Sequence, residues 1–166
     1  MDKDRSEACT IRPAVSNEAE LLSELALRSK AYWDYPDEFI EACREELSYS
    51  RDQIDSSTFS FVIAESPHGV TGFYALKRSS RSELELEALF VEPDWIGYGI
   101  GRALLEHAKC AAAELGAESL IIQGDPNAQA FYLAAGGVLT GEQESNGVPG
   151  RFLPTFVISL QSSLVG

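Results

Sequence analysis

Apolar residues recur along this chain with two different periods, and the changes of period predict where helices and strands lie. The leucines between residues 18 and 31 are spaced as on one face of a helix. From residue 59 to residue 91 apolar and polar residues alternate singly, which is typical of strands with one buried face. The predicted strands are 9–15, 59–65, 70–78, 83–91, 119–123, 138–142 and 152–160, and the predicted helices are 18–31, 37–47, 101–115 and 127–135.

The order of these elements predicts a mixed α/β fold with one central sheet. The turns at 67–69 and 79–80 are short enough to make antiparallel hairpins. Ser16 and Asn17 offer capping side chains to the first helix, with Glu20 three residues after Asn17 as in a capping box. The apolar positions expected to face the core on the first and third helices are Leu21, Leu22, Leu25, Leu27, Ile100, Leu104, Ala108, Ala111 and Leu115.

Composition narrows the class of protein. The 166 residues suffice for one domain with its own core, and 45% apolar and 23% charged residues are typical of a soluble globular protein. The chain contains no run of about 18 apolar residues, so no transmembrane helix is expected. Residues 1–8 lack the apolar centre of a signal peptide and are candidates for disorder. The three cysteines lack metal-ligand spacing, so free thiols in a reducing cytoplasm are expected.

The formal net charge of −13 argues against nucleic acid as a partner, because such binding requires Lys and Arg against the phosphates. The charge is compatible with a cationic small molecule, which an acidic protein attracts over long range. An acidic surface also serves solubility alone. Neither nucleic acid nor a membrane is therefore an expected partner.

A glycine-rich turn, Gly97-Tyr98-Gly99-Ile100-Gly101, joins a predicted strand to a predicted helix. The first amides of a helix have no intrahelical acceptor, and the helix dipole adds partial positive charge there. Glycines allow positive φ and a close approach of the backbone, so the turn is suited to a phosphate or pyrophosphate. A P-loop would continue with Lys-Ser/Thr rather than Arg102-Ala103, and a dinucleotide fingerprint would need Gly-x-Gly-x-x-Gly within βαβ units.

Two motifs in this order resemble the GNAT superfamily of acyl-CoA-dependent N-acyltransferases. The family's Arg/Gln-x-x-Gly-x-Gly/Ala motif is similar to Ile96-Gly-Tyr-Gly-Ile-Gly-Arg102, which follows Val91-Glu-Pro. The family's Asn-Ala-x-Ala-Phe-Tyr-x-x-x-Gly motif is similar to 127–136. The resemblance is strong over about residues 60–140. It implies one GNAT-like domain over 1–166, with a mixed, mostly antiparallel sheet that is flanked by helices and splayed to hold coenzyme A.

The resemblance also implies acetyl-CoA as co-substrate. The amides of 97–102 would bind the pyrophosphate, and the backbone of 89–91, with a bulge near Leu89, would pair with the pantetheine arm. Asn127 would hydrogen-bond that arm, and Tyr132 would protonate the departing thiolate. The implied cofactor-binding residues are Leu89, Phe90, Val91, Gly97, Tyr98, Gly99, Ile100, Gly101, Arg102 and Asn127.

The sequence departs from the family pattern at two positions. Ile96 replaces the usual Arg or Gln, so one side-chain contact to the phosphates is missing. Arg102 is placed to compensate for this loss, although it is also spaced to pair with Glu106. Gly137 replaces a common Phe, which affects packing rather than chemistry.

The two residues of the second motif with implied functional roles, Asn127 and Tyr132, each have a purely structural alternative. Tyr132 is also explained as a packed, half-buried tyrosine. Asn127 is also explained as a helix cap in competition with Asp125. The two histidines, His68 and His107, have no partner at suggestive spacing and are expected at the surface.

Acylation of an amine requires a base that removes a proton from nitrogen. Glu83, Glu85 and Glu87 alternate on one predicted strand and so share a face, opposite Leu84, Leu86 and Ala88. Glu85 lies where some relatives carry a catalytic glutamate and is the first candidate, with Glu87 second. A solvated acidic strand face is the alternative. Gln123 stands where some relatives have a carboxylate and cannot act as a base.

The acceptor site is expected between the first two helices and the last strands, where the family usually has it. Tyr32, Trp33 and Tyr35 are its candidate residues, since an aromatic wall also binds cations. A hydrophobic plug under a loop explains them equally well. The loop 146–151 is placed to close over an acceptor.

We therefore expect a cytoplasmic N-acetyltransferase that transfers the acetyl group of acetyl-CoA to a primary amine, by direct attack in a ternary complex. The alternative is a non-catalytic acyl-CoA-binding or sensor domain. A structural or interaction domain would make the two motifs a coincidence. The acceptor, a small molecule or a peptide, stays open, as does the choice between monomer and homodimer.

Overall fold

The alternating segments of the sequence form seven strands of one sheet in a computed structural model, which describes residues 9–33, 35–144 and 150–160. The strands are β1 (Thr10–Pro13), β2 (Phe59–Ser66), β3 (Gly69–Arg78), β4 (Glu83–Val91), β5 (Ser119–Gln123), β6 (Val138–Glu144) and β7 (Phe152–Ser159). The helices are α1 (Ala19–Ala31), α2 (Asp37–Cys43), α3 (Arg51–Asp55), α4 (Ile100–Glu114) and α5 (Gln129–Ala134).

The predicted elements all form, with a few changes at their ends. Helix α2 ends at Cys43 rather than at residue 47, and the sequence did not predict the short helix α3. A 3-10 turn, Pro126–Ala128, precedes α5 where the helix was expected to begin. The capping box on Asn17 and Glu20 is wrong, because Glu18 instead accepts a hydrogen bond from the Val15 N–H at 2.8 Å. The expectation for residues 1–8 lies outside the described residues.

The sheet has the order β1-β2-β3-β4-β5-β7-β6, and β4–β5 is its one parallel pair among the described strands. That pairing runs from Glu83–Ser119 to Leu86–Ile122 and then stops, while β4 continues to Val91. The sheet therefore opens between β4 and β5 over the last residues of β4. This confirms the predicted mixed, mostly antiparallel and splayed fold.

A bulge in β4 lies at the point where the sheet opens. Opposite β3, Ala88 pairs with Ala75 and Leu86 with Leu76, so Glu87 is an extra residue. The bulge reverses which face the following residues occupy. Ala88 consequently packs in a different core from Leu84 and Leu86, which corrects the predicted alternation. The bulge was expected near Leu89, and it lies two residues earlier, at Glu87.

Each face of the sheet has its own apolar core. One core includes the buried face of α4, and the other includes Leu22, Leu25 and Ala26 of α1. Two predicted core positions are wrong, since Leu21 is 42% and Leu115 is 49% exposed. The α4 residues that are buried are Ile100, Leu104, Leu105, Ala108 and Ala112.

The close approach of α4 to the sheet depends on Gly72 in β3. A Cβ at this position would lie 2.9 Å from the Phe90 carbonyl oxygen and 3.0 Å from Leu104. The N-terminus of α4 therefore lies directly beside the open end of β4. None of the helices in the described ranges is long and apolar enough to cross a membrane.

Candidate active site

The glycine-rich turn presents the first amides of α4. Gly97 and Gly99 have φ values of +92° and +83°, a conformation that side chains disfavour, and Gly99 is the N-cap of the helix. The first hydrogen bond of the helix runs from the Ala103 N–H to the Gly99 carbonyl at 3.0 Å. The N–H groups of residues 100–102 precede it, so they are directed out of the helix end together with its dipole.

A cavity of about 710 Å³ extends from this turn along the opening between β4 and β5. Leu89 and Val91 line one wall, the N-terminal turn of α4 lines the base, and α5 lines the opposite wall. Eight of the ten predicted cofactor-binding residues line this first cavity. They are Leu89, Val91, Gly97, Gly99, Ile100, Gly101, Arg102 and Asn127.

The backbone of β4 faces this cavity at alternate residues. The Glu92 N–H donates to the Thr71 carbonyl at 2.8 Å, so the polar backbone groups of residue 92, and with them those of Phe90, point towards β3. Those of Leu89 and Val91 therefore point to the open edge. The Phe90 side chain packs against the core on the α1 side.

Two cations, Arg102 and Lys109, line the first cavity. Glu106, the alternative partner for Arg102, pairs instead with Lys109 at 3.2 Å. Arg102 is exposed and forms no ion pair with any described residue. Its guanidinium is therefore available to a ligand anion at the end of α4.

Tyr132 lies at the inner end of the first cavity. The residue is 7% exposed, and its ring packs 5.2 Å from that of Phe131 and 5.5 Å from that of Phe156. A Cβ at Gly124 would lie 3.0 Å from the Tyr132 ring, so a larger residue there would require the ring to shift. The hydroxyl has no hydrogen-bond partner among the described residues. Burial raises the pKa of this phenol, which therefore stays protonated at neutral pH.

A second cavity of about 480 Å³ lies on the α1–α3 side of the sheet. It shares Leu89, Ala128 and Tyr132 with the first cavity, so the two cavities meet at the Tyr132 side chain. Glu85 and Glu87 both line the second cavity. Desolvation and repulsion from Glu85 raise the pKa of Glu87 above its ordinary value.

A network around Asp125 links the two cavities. The carboxylate accepts hydrogen bonds from Lys30 at 2.6 Å, from the Tyr35 hydroxyl at 3.0 Å and from the Asn127 backbone N–H at 2.9 Å. Arg151 donates to the Tyr35 hydroxyl at 2.9 Å and to Asp125 at 3.4 Å. Burial raises the pKa of Asp125, but Lys30 and the hydrogen bonds from the Asn127 N–H and the Tyr35 hydroxyl together hold the pKa below its ordinary value.

The same network fixes the Asn127 side chain. Its amide nitrogen donates to Asp125 at 3.0 Å and to Tyr35 at 3.1 Å. The carbonyl oxygen of the amide accepts no hydrogen bond from a described residue, so it remains available to a donor in the first cavity. Asp125 also receives the Asn127 N–H, which is the capping role that the sequence left open between these two residues.

The three aromatic residues predicted for the acceptor site do not line one cavity, although the rings of Tyr32 and Trp33 contact each other with centroids 5.1 Å apart. Trp33 lines the first cavity, Tyr35 belongs to the Asp125 network, and Tyr32 lines neither cavity. Of the predicted loop 146–151, residues 146–149 lie outside the described residues, while Arg151 lines the second cavity. His107 is more than a surface residue, because its Nδ1 shares a hydrogen bond of 2.8 Å with the buried Tyr74 hydroxyl.

Several residues of the site were not predicted. Lys30, Glu46 and Tyr49 line the second cavity but stand outside both motifs, and no local pattern distinguishes them. Arg151, which also lines this cavity, is the last residue of the predicted loop 146–151. A signal existed for Asp125 alone, which precedes Pro126 in the second motif.

Comparison with known proteins decides the family. The family model "Acetyltransferase (GNAT) domain" matches residues 18–151, which is most of the chain. This chain belongs to the GNAT family of acetyltransferases. The match confirms the resemblance inferred from the two motifs, and with it the class of enzyme.

Individual relatives agree with this assignment. A peptidyl-lysine N-acetyltransferase of Escherichia coli, YjaB, is 39% identical over 59 residues, which are 36% of this chain and 39% of that protein. The matched segment thus spans well under half of the relative. Among solved structures, the PaiA N-acetyltransferase of Thermoplasma acidophilum, in complex with coenzyme A, has a TM-score of 0.76 at 21% identity and covers 91% of this chain and 98% of its own.

A GCN5-related N-acetyltransferase from Rhodopseudomonas palustris has a TM-score of 0.75 at 22% identity, covering 90% of this chain and 94% of its own. Both structural likenesses concern the fold. They show that the splayed seven-stranded sheet of this GNAT chain is shared by proteins of very different sequence.

Proposed function

We propose that this GNAT chain transfers the acetyl group of acetyl-CoA to a primary amine, by direct attack within a ternary complex. The observation that carries the proposal is the meeting of two cavities at Tyr132, one beside the glycine-rich turn and one lined by carboxylates. Two substrates that enter from opposite faces of the sheet would have their reacting atoms at this junction. This arrangement favours direct transfer over a covalent acetyl-enzyme.

The first cavity suits acetyl-CoA. The amides of residues 100–102 and the Arg102 guanidinium would bind the pyrophosphate. The outward backbone groups of Leu89 and Val91, together with the Asn127 carbonyl, would pair with the amides of the pantetheine arm. The PaiA N-acetyltransferase, which shares this fold, was solved in complex with coenzyme A, and this supports coenzyme A as the ligand.

The chemistry requires one acid and one base. The amine nitrogen attacks the thioester carbonyl carbon, a C–N bond forms, and the C–S bond breaks. Tyr132, protonated and without a hydrogen-bond partner among the described residues, would give its proton to the thiolate that leaves. The phenolate would regain a proton from solvent.

Glu87 is the better placed of the two candidate bases. It is the first residue of β4 beyond the last pair with β5, whereas Glu85 is still paired opposite Ile121 within the ladder. The pKa of Glu87 is raised, which makes its carboxylate a stronger base and brings its pKa closer to that of the amine whose proton it must accept. Glu87 would take the amine proton directly or through water.

The test is the Tyr132→Phe variant. Turnover should fall by about 100-fold or more, since one general acid is lost, while the affinity for acetyl-CoA measured by calorimetry stays within about twofold because the first cavity keeps its amides and cations. Tyr74→Phe is the matched control, because it removes a buried phenol outside both cavities. Unchanged turnover in Tyr132→Phe would assign the acid role to another group.

The broader proposal is tested with the unmodified protein, by following thiol release from acetyl-CoA with a panel of amines. Release that depends on the amine supports transfer. Binding of acetyl-CoA without release by any amine would favour the non-catalytic acyl-CoA-binding alternative, and absence of binding at millimolar coenzyme would contradict both.

A further inference from the structure

Two carboxylates of the second cavity have no cation as a partner. Glu46 lies in the turn after α2, and Glu85 lies on β4, and both side chains line this cavity together with Glu87. Neither Glu46 nor Glu85 forms an ion pair or a side-chain hydrogen bond with a described residue. Three negative charges within one cavity wall repel each other unless a cation lies between them.

The one cation on this wall compensates only in part. Lys77 lies opposite Glu85 in the β3–β4 register, but its Nζ is placed 6.0 Å over the Phe59 ring and makes no ion pair with a described carboxylate. The wall formed by Glu46, Glu85, Glu87 and Lys77 thus keeps an excess of negative charge.

The opposite side of the same cavity is balanced internally. Lys30 and Arg151 are both bound to Asp125, and Arg151 also stacks 4.7 Å over the Phe39 ring. The excess charge that a ligand would meet in this cavity is therefore negative, and it is located at Glu46 and Glu85.

A second, independent feature marks this cavity as the place of a ligand. The Tyr132 side chain is more than nine-tenths buried, lines the cavity, and has a hydroxyl without a hydrogen-bond partner among the described residues. No buried side-chain oxygen or nitrogen of the described residues lacks a hydrogen-bond partner, so the unpartnered Tyr132 hydroxyl is open to the cavity although its ring is buried. A hydroxyl placed in this way indicates where a reacting group would lie. The carboxylates and the phenol belong to different elements, β4 and the turn after α2 on one side and α5 on the other.

We propose that the acceptor carries a second cationic group besides the reacting amine, so that the preferred class is a diamine or a longer polyamine. One nitrogen lies at Tyr132 and Glu87, and the second, as an ammonium, lies between Glu46 and Glu85. This inference rests on the proposed function of the same site.

Other acceptors fit the charges less well. A monoamine leaves Glu46 and Glu85 without a cation. An amino acid brings a carboxylate into a cavity whose uncompensated charge is already negative. Arg151 is engaged by Asp125 and Tyr35, and Lys77 lies beside Glu85 in the strand register, so a carboxylate there would meet the Glu85 charge as well.

The test compares three acceptors of equal chain length, which are 1,4-diaminobutane, butylamine and 4-aminobutyrate, by kcat/KM for thiol release. One additional charge-assisted contact predicts a preference for the diamine over butylamine of about tenfold or more, with 4-aminobutyrate the poorest. Glu46→Gln and Glu85→Gln should each reduce the ratio of diamine to monoamine by about tenfold. Glu118→Gln, an exposed glutamate outside the cavity, should leave that ratio unchanged.

Calorimetric binding of 1,4-diaminobutane to the protein saturated with coenzyme A provides a readout that does not depend on turnover, and should weaken in the same two variants. Equal kcat/KM for the diamine and butylamine, or a ratio that Glu46→Gln and Glu85→Gln leave unchanged, would overturn the inference while leaving amine acetylation intact. Absence of thiol release with all three acceptors and with every amine of the wider panel would instead overturn the proposed function.

Discussion

The Asp125→Asn substitution tests how much the Asp125 charge contributes to the stability of the network that links the two cavities. The change keeps the size of the side chain but removes the negative charge that Lys30 contacts at 2.6 Å and Arg151 at 3.4 Å. Asp125 is 15% exposed, Lys30 13% and Arg151 18%. The two cations would therefore lose their shared carboxylate in a place that water reaches only in part.

The magnitude follows from this burial. Removal of one partner of a fully buried ion pair costs about 3–5 kcal/mol, because the other charge is left unpaired. Water still reaches Lys30 and Arg151 in part, and asparagine retains an oxygen for the Asn127 N–H. We therefore expect a loss in the free energy of unfolding of about 2–3 kcal/mol, close to the value of one hydrogen bond to a charged group.

The assay is urea unfolding of the wild type and of Asp125→Asn, compared by midpoint at an unchanged slope. Because the pKa of Asp125 is lowered in the folded state, its contribution is complete above the ordinary value of 3.8 and is lost as the pH falls through the folded value. The difference between the two proteins should be constant from neutral pH to about pH 5 and should shrink below about pH 4. Glu118→Gln is the control for loss of a surface charge.

Two results would refute this reasoning. A loss of less than about 0.5 kcal/mol would place Asp125 among ordinary exposed ion pairs. A difference in stability that persists undiminished at pH 3 would mean that the substitution acts through packing rather than through charge.

Three further substitutions test the site. Gly124→Ala places a Cβ 3.0 Å from the Tyr132 ring, and the displaced phenol should lower kcat and cost about 1–3 kcal/mol of stability in thermal unfolding. Gly99→Ala forces a side chain to a φ of +83°, so KM for acetyl-CoA should rise and stability should fall by about 1–2 kcal/mol. The pKa of Glu87 is raised above its ordinary 4.5, so the pH–rate profile of the wild type should have an acidic limb in which the rate falls as Glu87 becomes protonated. Glu87→Gln should remove this limb and lower kcat by about 100-fold.

Each of these predictions has a contrary outcome. Normal kcat in Gly124→Ala would mean that the ring position tolerates displacement. An unchanged KM for acetyl-CoA in Gly99→Ala would mean that the turn does not bind the coenzyme. The control is Gly69→Ala, which changes another glycine at positive φ, in the β2–β3 turn. An acidic limb that persists in Glu87→Gln would assign the base to Glu85 or to another group.

The coenzyme side of the site was predictable because its determinants are local in sequence. The turn of 97–101 and the block of 127–136 each carry their own conformational information, since positive φ requires glycine and a helix begins immediately after the turn. The ends of β4 and β5 were predicted at the residues observed. The opening between these strands followed from the family resemblance and was confirmed.

The acceptor side was predictable only in part. The bulge at Glu87 changes which face Ala88 occupies, and a strict alternation of period two does not reveal an inserted residue. Tyr32, Trp33 and Tyr35 are close in sequence, yet only Trp33 lines the first cavity, while Tyr35 belongs to the Asp125 network.

By itself, then, the sequence determined the order of the elements, the glycine-rich turn at the start of α4 and the family, because each depends on neighbouring residues. Only the tertiary structure decided how Lys30, Asp125 and Arg151 combine, and that Glu46 and Glu85 share a cavity with Tyr132. These groups come from distant segments of the chain, with Lys30 and Arg151 separated by about 120 residues. Whether their charges are paired depends on burial and distance after folding, which no local pattern records.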